Sequence, residues 1–125
     1  MDHPSLTEAE FKIMALLWTH APRTITELTR ILAGDTGWTK HTVISLLRRM
    51  VQKGSVRMET SGRTKQFYPL IEKAGMAKDQ AKTLLDRLFD GKAALLMHTM
   101  VEMGGLTDED LAELSAFIES KRGEG

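Results

Sequence analysis

Apolar residues recur along most of this chain at a helical spacing, and the interruptions of that spacing mark its elements. Leu6, Ala9, Ile13, Leu16 and Leu17 form one stripe, and Phe11, Met14, Ala15 and Trp18 form a second beside it. Two adjacent stripes make a wide apolar arc, which predicts a core helix. Thr7 and Glu10 supply a T-x-x-E capping box for its start, with Leu6 and Phe11 placed as a hydrophobic staple. Ala21-Pro22 bounds it, because the residue before a proline is disfavoured in the helical region. The same cap recurs at Thr24 and Glu27, and Ile25, Leu28, Ile31 and Leu32 predict a short second helix stopped at Gly34. A loop over 34–38 follows. The third helix has the cleanest pattern: Thr39 caps it, and Val43, Leu46, Leu47, Met50 and Val51 fill one face. Lys53-Gly54 closes it with a cation in the last turn and a glycine just beyond.

The period then drops to two. Ser55 to Thr60 alternates with Val56 and Met58 on one face, Ser61-Gly62-Arg63-Thr64 is turn chemistry, and Lys65 to Leu70 alternates again around Phe67. This predicts a hairpin, in which Pro69 sits at an edge or a strand end. From Glu72 the pattern is helical to the end. Ala77, Ala81, Leu84, Leu85 and Leu88 mark a long helix, residues 93–103 are apolar nearly all round, and Gly104-Gly105 breaks the run. Thr107 caps a last helix whose first turn is acidic (Asp108, Glu109, Asp110), whose buried stripe is Leu111, Leu114 and Ile118, and which ends in Lys121 and Arg122.

Helix, short helix, helix and hairpin within about 70 residues is the layout of a winged helix-turn-helix. The expected fold is therefore mainly α with a small β hairpin, divided into a winged-helix DNA-binding domain at 1–71 and a helical dimerisation domain at 72–125. Charge separates the same halves. Residues 1–71 carry ten Lys/Arg against six Asp/Glu, a surplus of +4, and residues 72–125 carry seven against eleven, a balance of −4. Within 38–65 stand seven basic residues (Lys40, Arg48, Arg49, Lys53, Arg57, Arg63, Lys65) and one acid, Glu59. A chain of zero net charge with one basic segment is suited to docking on a polyanion, although such a run also fits a solvated face.

The third helix offers its outer face to a major groove about 12 Å wide. N-terminal residues of such helices usually meet base edges, which assigns His41, Ile44 and Ser45 to base reading. Ile44 is apolar on a polar side, where it could pack on a thymine methyl or simply stand exposed. Thr39, Lys40 and Thr42 start the helix, where free N–H groups and the positive dipole end favour a phosphate. Arg48 and Arg49 should flank the groove, and Arg63 and Lys65 on the hairpin could reach neighbouring phosphates.

Three segments carry a family resemblance: Leu6-Thr-Glu-Ala-Glu-Phe11 with Ala15-Leu-Leu-Trp18, the run from Trp38 to Gly54, and Phe67-Tyr68-Pro69-Leu70. They resemble the penicillinase-repressor family (BlaI/MecI/CopY), and Ala81 to Gly91 is similar to that family's dimerisation region. The resemblance runs from about Leu6 to Ser120. It implies a homodimeric repressor on inverted repeats built around TACA/TGTA, with base reading carried onto Thr39, Lys40, His41, Thr42 and Ser45, and Arg49 near the helix end. Copper-responsive members carry a C-terminal cysteine cluster; this chain has no cysteine, which removes that route along with disulfides and thiolate zinc sites. Members induced by β-lactams are cleaved at an Asn-Phe bond after a membrane sensor detects the drug. The matching bond here is Thr99-Met100, so a membrane sensor or protease acting on the dimerisation region is a candidate partner whose usual bond is missing.

Residues 72–125 are too few to cover their own apolar surface, which predicts pairing with a second copy through Leu84, Leu85, Leu88, Phe89, Leu95, Met97, Met100, Leu111, Leu114 and Ile118. Packing on the chain's own winged helix is the alternative. Recognition helices spaced about 34–36 Å apart, or a multiple, match a dyad operator. No phosphate loop, G-x-S-x-G elbow or H-E-x-x-H occurs, so no enzyme activity is expected. His3, His20, His41 and His98 form no close pair, so neither metal nor cofactor is expected. Met1-Asp2-His3-Pro4 does not read as a secretory signal and no apolar run approaches the ~18–20 residues of a membrane span, so a cytoplasmic protein is expected. Two other readings remain: a small-molecule-responsive winged-helix regulator with a methionine-lined pocket among its dimer helices, and a winged helix used only for protein interaction.

Overall fold

Helix caps set the frame of the N-terminal half. In the computed structural model, which describes residues 4–124, α1 (Glu8–Thr19) begins at Thr7, whose Oγ1 accepts the Glu10 N–H while Glu10 accepts the Thr7 N–H. The same reciprocal pair, Thr24 with Glu27, starts α2 (Ile25–Thr36). Both boxes satisfy two donors that a bare helix start would leave open. The helix α3 (Lys40–Lys53) is capped by Thr39 through the Thr42 N–H. Met1–His3 lie outside the described residues, and with them the secretory-signal reading and the candidate ligand His3.

One core joins these helices. Ile13, Met14 and Leu17 of α1, Leu28 and Leu32 of α2, and Val43, Leu46, Leu47 and Met50 of α3 are buried together with Val56, Phe67, Ile71 and Met76. Removing nine such helix side chains from water, at about 1.5–3 kcal/mol each, supplies most of the drive to pack the three helices. Three helix positions leave the expected stripes: Ala15, Ile31 and Val51 are exposed. Trp18 stands edge-on to Phe11 and donates its indole N–H to the Ile71 carbonyl, which ties α1 to the chain leaving the sheet.

α2 does not stop at Gly34. It runs two residues further and closes at Gly37, whose φ of 73° suits the left-handed cap. An interior glycine costs about 1 kcal/mol without breaking a helix that Leu28 and Leu32 anchor, so the expected loop over 34–38 shrinks to 37–39. Gly54, at φ 84°, ends α3 in the same way.

The expected hairpin is present and has a third member. β1 (Arg23–Thr24), β2 (Val56–Ser61) and β3 (Thr64–Pro69) form an antiparallel sheet in the order β1-β3-β2. Met58 is paired with Phe67, and Val56 with Pro69, the last residue of the central strand. β1 has only two residues, too few to show an alternating pattern in the sequence.

α4 (Lys73–Leu88), α5 (Ala93–Glu102) and α6 (Asp108–Glu124) complete the chain. Thr107 and Asp110 exchange cap hydrogen bonds at the start of α6. The chain divides into two compact units, Met1–Asp79 and Gln80–Gly125, with the boundary inside α4 rather than ahead of it. Met76, in the first turns of α4, is buried in the core of the first unit. Among the described residues of the second unit, no side chain is buried. No described helix is long and apolar enough to cross a membrane.

Candidate nucleic-acid interface

The polar side of α3 divides into regions that differ in what surrounds them. His41, Ser45, Arg48 and Gln52 follow one another at helical spacing and are all exposed. Arg49 and Lys53 sit on another side, toward α1. Ile44, Arg48 and Val51 turn toward the hairpin and line a groove with Met58 and Lys65. Ile44 is half-buried there, so it stands at the side of the helix next to the hairpin rather than free on the outer face.

The side toward α1 holds a buried carboxylate. The Glu10 side chain is fully buried; its Oε1 accepts the Lys53 ammonium at 2.6 Å and its Oε2 accepts the Arg49 Nε–H at 3.0 Å. Burial by itself raises the Glu10 pKa. The Lys53 ammonium, the Thr7 backbone N–H and the Arg49 guanidinium outweigh it and lower the value to about 2. Helical spacing groups Arg49 with the phosphate contacts, whereas the structure bonds its Nε to Glu10 of α1. The clue in the sequence is the i, i+4 pair Arg49/Lys53 together with an acid on a helix packed alongside.

Arg57, although exposed, is also engaged by neighbouring side chains. It pairs with Glu59, and its guanidinium lies 4.2 Å from the centre of the Tyr68 ring. Lys40, Arg48, Arg63 and Lys65 differ from these three. All four are exposed, and none has a carboxylate within ion-pair distance among the described residues. Lys40 opens α3, whose first turn has no acid, and Arg48 lies two turns on. Arg63 sits beside Gly62, whose φ of 65° makes the hairpin turn, and Lys65 is on the strand leaving it. The hydroxyl of Thr39 is taken up by the cap, Thr42 is half-buried, and the neighbouring start of α3 is open to an anion. Basic groups unmatched by acids on a helix and an adjacent hairpin can neutralise phosphates spaced along a duplex.

The helices of the second unit present apolar surface. Leu84, Leu88, Leu95, Leu111 and Ile118 are exposed, and Leu85, Phe89, Met97, Met100 and Leu114 are half-buried. Phe117, which the helical stripe does not include, is also exposed. No group of three side chains able to hold a metal ion occurs among the described residues.

The family model for the penicillinase repressor matches residues 6–120. The chain belongs to the penicillinase repressor family. The penicillinase repressor of Bacillus licheniformis is 23% identical to it over 119 residues, which cover 95% of this chain and 93% of the relative. The methicillin resistance regulatory protein MecI of Staphylococcus aureus (strain N315) is 20% identical over 116 residues, 93% of this chain and 94% of that one. Among solved structures, the Bacillus licheniformis BlaI monomer in complex with the blaP half-operator matches with a TM-score of 0.52 and 25% identity, over 58% of this chain and 89% of that chain. This penicillinase repressor family member thus has a mainly helical fold containing the winged helix of its relatives.

Proposed function

We propose that the chain is a transcriptional repressor that binds an inverted-repeat operator of TACA/TGTA type as a homodimer. The observation that carries this reading is the set of four exposed cations, Lys40, Arg48, Arg63 and Lys65, spread over α3 and the hairpin with no carboxylate in ion-pair distance among the described residues. Its known relative, BlaI, has been solved on the blaP half-operator, which supports DNA as the polyanion.

Residues 1–71 bind DNA and residues 72–125 dimerise. α3 enters the major groove, with His41 and Ser45 toward base edges and Ile44 beside them at the hairpin side. Thr39, Lys40 and Thr42 receive a phosphate at the helix start, and Arg48, Arg63 and Lys65 take neighbouring phosphates. Arg49 acts chiefly through Glu10, by fixing how α3 sits on α1. The exposed leucines of α4 to α6, in a unit with no buried side chain among its described residues, support a second copy as the partner. Joint binding of two half-sites then raises affinity, and anything that separates the copies relieves repression. A protease could do so. Thr99-Met100 lies inside α5, where the Thr99 hydroxyl donates to the Leu95 carbonyl, so cleavage there requires the helix to unwind first. A DNA target places the protein in the cytoplasm.

Fluorescence anisotropy tests the reading with a labelled TACA/TGTA inverted repeat and a scrambled duplex at about 50 and 200 mM salt. The inverted repeat should bind at least about a thousandfold more tightly. Equal affinity for both duplexes overturns the reading.

A further inference from the structure

The groove between α3 and the hairpin is a cavity of about 200 Å³ with a mostly apolar lining and two cations among its residues. Ile44, Arg48, Val51 and Gln52 line it from α3, Met58, Lys65 and Phe67 from the hairpin, and Ile25 from the start of α2. The alternation of the hairpin explains its share of the lining: Met58 pairs directly with Phe67, and Lys65 lies two residues away on the same face. Arg57 and Glu59, one step out of register, pair with each other on the opposite face. As a result no acidic side chain lines the cavity. Val51 and Met58 are 39% and 41% exposed, so part of the apolar lining is open to solvent, whereas Phe67 is buried.

We propose that this groove binds a small aromatic carboxylate, which occupies the space between α3 and the hairpin and thereby competes with DNA. Charge selects the carboxylate. Two cations without an acidic partner among the described residues line one mostly apolar cavity, and a guanidinium fork can hold both oxygens of a carboxylate. Shape selects an aromatic body. The volume lies below the ~300–1,000 Å³ of sites for drug-sized ligands, which suits one or two fused rings. The Met58 thioether and the Arg48 guanidinium both pack favourably on ring faces or edges. Competition follows because Arg48, Lys65 and Ile44 belong to the DNA-facing set; this half of the inference rests on the proposed function, while ligand binding itself does not.

The test uses the full chain free of DNA, with 2-naphthoate and its neutral analogue 2-naphthamide titrated against methyl and amide NMR signals. The acid should shift Ile44, Val51, Met58 and Phe67 with a dissociation constant on the order of 0.1–1 mM, and the amide should bind at least about tenfold more weakly. Met58→Trp, which fills the cavity, should abolish these shifts while the melting curve stays cooperative. Equal binding of acid and amide, shifts confined to residues 80–124, or unchanged binding in Met58→Trp overturns the site. In a separate anisotropy experiment the acid should displace the duplex, and an acid that binds the groove without displacing it overturns the competition. Because the acid is titrated without DNA, a failure of duplex binding and a failure of the groove are distinct results.

Discussion

The Lys53 ammonium lies 2.6 Å from Glu10 Oε1, so the last turn of α3 is pinned by a buried ion pair to the first turn of α1. The same carboxylate accepts the Thr7 N–H and the Arg49 Nε–H, so one side chain both caps α1 and fixes the tilt of α3. A buried charge is tolerated only when it is paired and hydrogen-bonded, and Glu10 meets both conditions.

Glu10→Ala should therefore destabilise the chain by about 3 kcal/mol, since it removes the acceptor of the Thr7 N–H and the carboxylate that two cations share. Glu10→Gln keeps the shape and the cap acceptor and should cost about 1–2 kcal/mol. Urea unfolding of the full-length variants measures both. A loss below about 0.5 kcal/mol in Glu10→Ala would show that packing alone holds α1 to α3.

Acid should weaken the same contact. The folded Glu10 pKa is about 2, against an ordinary value of 4.5. Because the folded value is depressed, the stabilisation is complete above about 4.5 and is lost as pH falls through about 2. Wild-type stability should fall relative to Glu10→Gln across that window, and parallel curves for the two proteins would refute the assignment.

Salt dependence separates the basic residues by role. Each phosphate contact adds about 0.9 to the slope of log affinity against log salt. Arg48→Ala and Lys65→Ala should each flatten the slope by about that amount. Arg49→Ala should lower thermal stability and leave the slope nearly unchanged, because its Nε already serves Glu10. Ser45→Ala, by contrast, should alter the preference among duplexes at an unchanged slope. If Arg49→Ala flattens the slope as much as Arg48→Ala does, Arg49 is a phosphate contact.

The elements legible in the sequence are those whose signal is local. Thr7 with Glu10, Thr24 with Glu27 and Thr39 each mark a helix start within three residues, and the Val43-Leu46-Leu47-Met50 stripe marks the buried face of α3. What escapes a local reading depends on contacts distant in the chain. Glu10 meets Arg49 and Lys53 across 39 and 43 residues, and although the i, i+4 pair hints at an acid, only the fold selects Glu10. β1 exists because two residues pair with Phe67 and Gln66, far along the chain. Ile44 and Val51 look like an outlier and a core residue in the helical pattern; the hairpin, folding beside α3, makes them lining residues on the α3 side of one groove.

Leu88 offers the sharpest test of the second copy. It is 71% exposed on α4, so in an isolated chain a charged replacement there should change stability by no more than about 0.5 kcal/mol. If Leu88 instead lies in a dimer contact, Leu88→Glu places two carboxylates in an apolar interface, where each is costly to desolvate. Sedimentation should then show the wild type as a dimer and the variant as a monomer at the same concentration. Affinity for the inverted repeat should fall about 10²–10⁴-fold, the gain that linking two binding events supplies, while affinity for a single half-site stays the same. A Leu88→Glu protein that remains dimeric moves the contact away from this face of α4. A wild type that sediments as a monomer removes the dimer altogether.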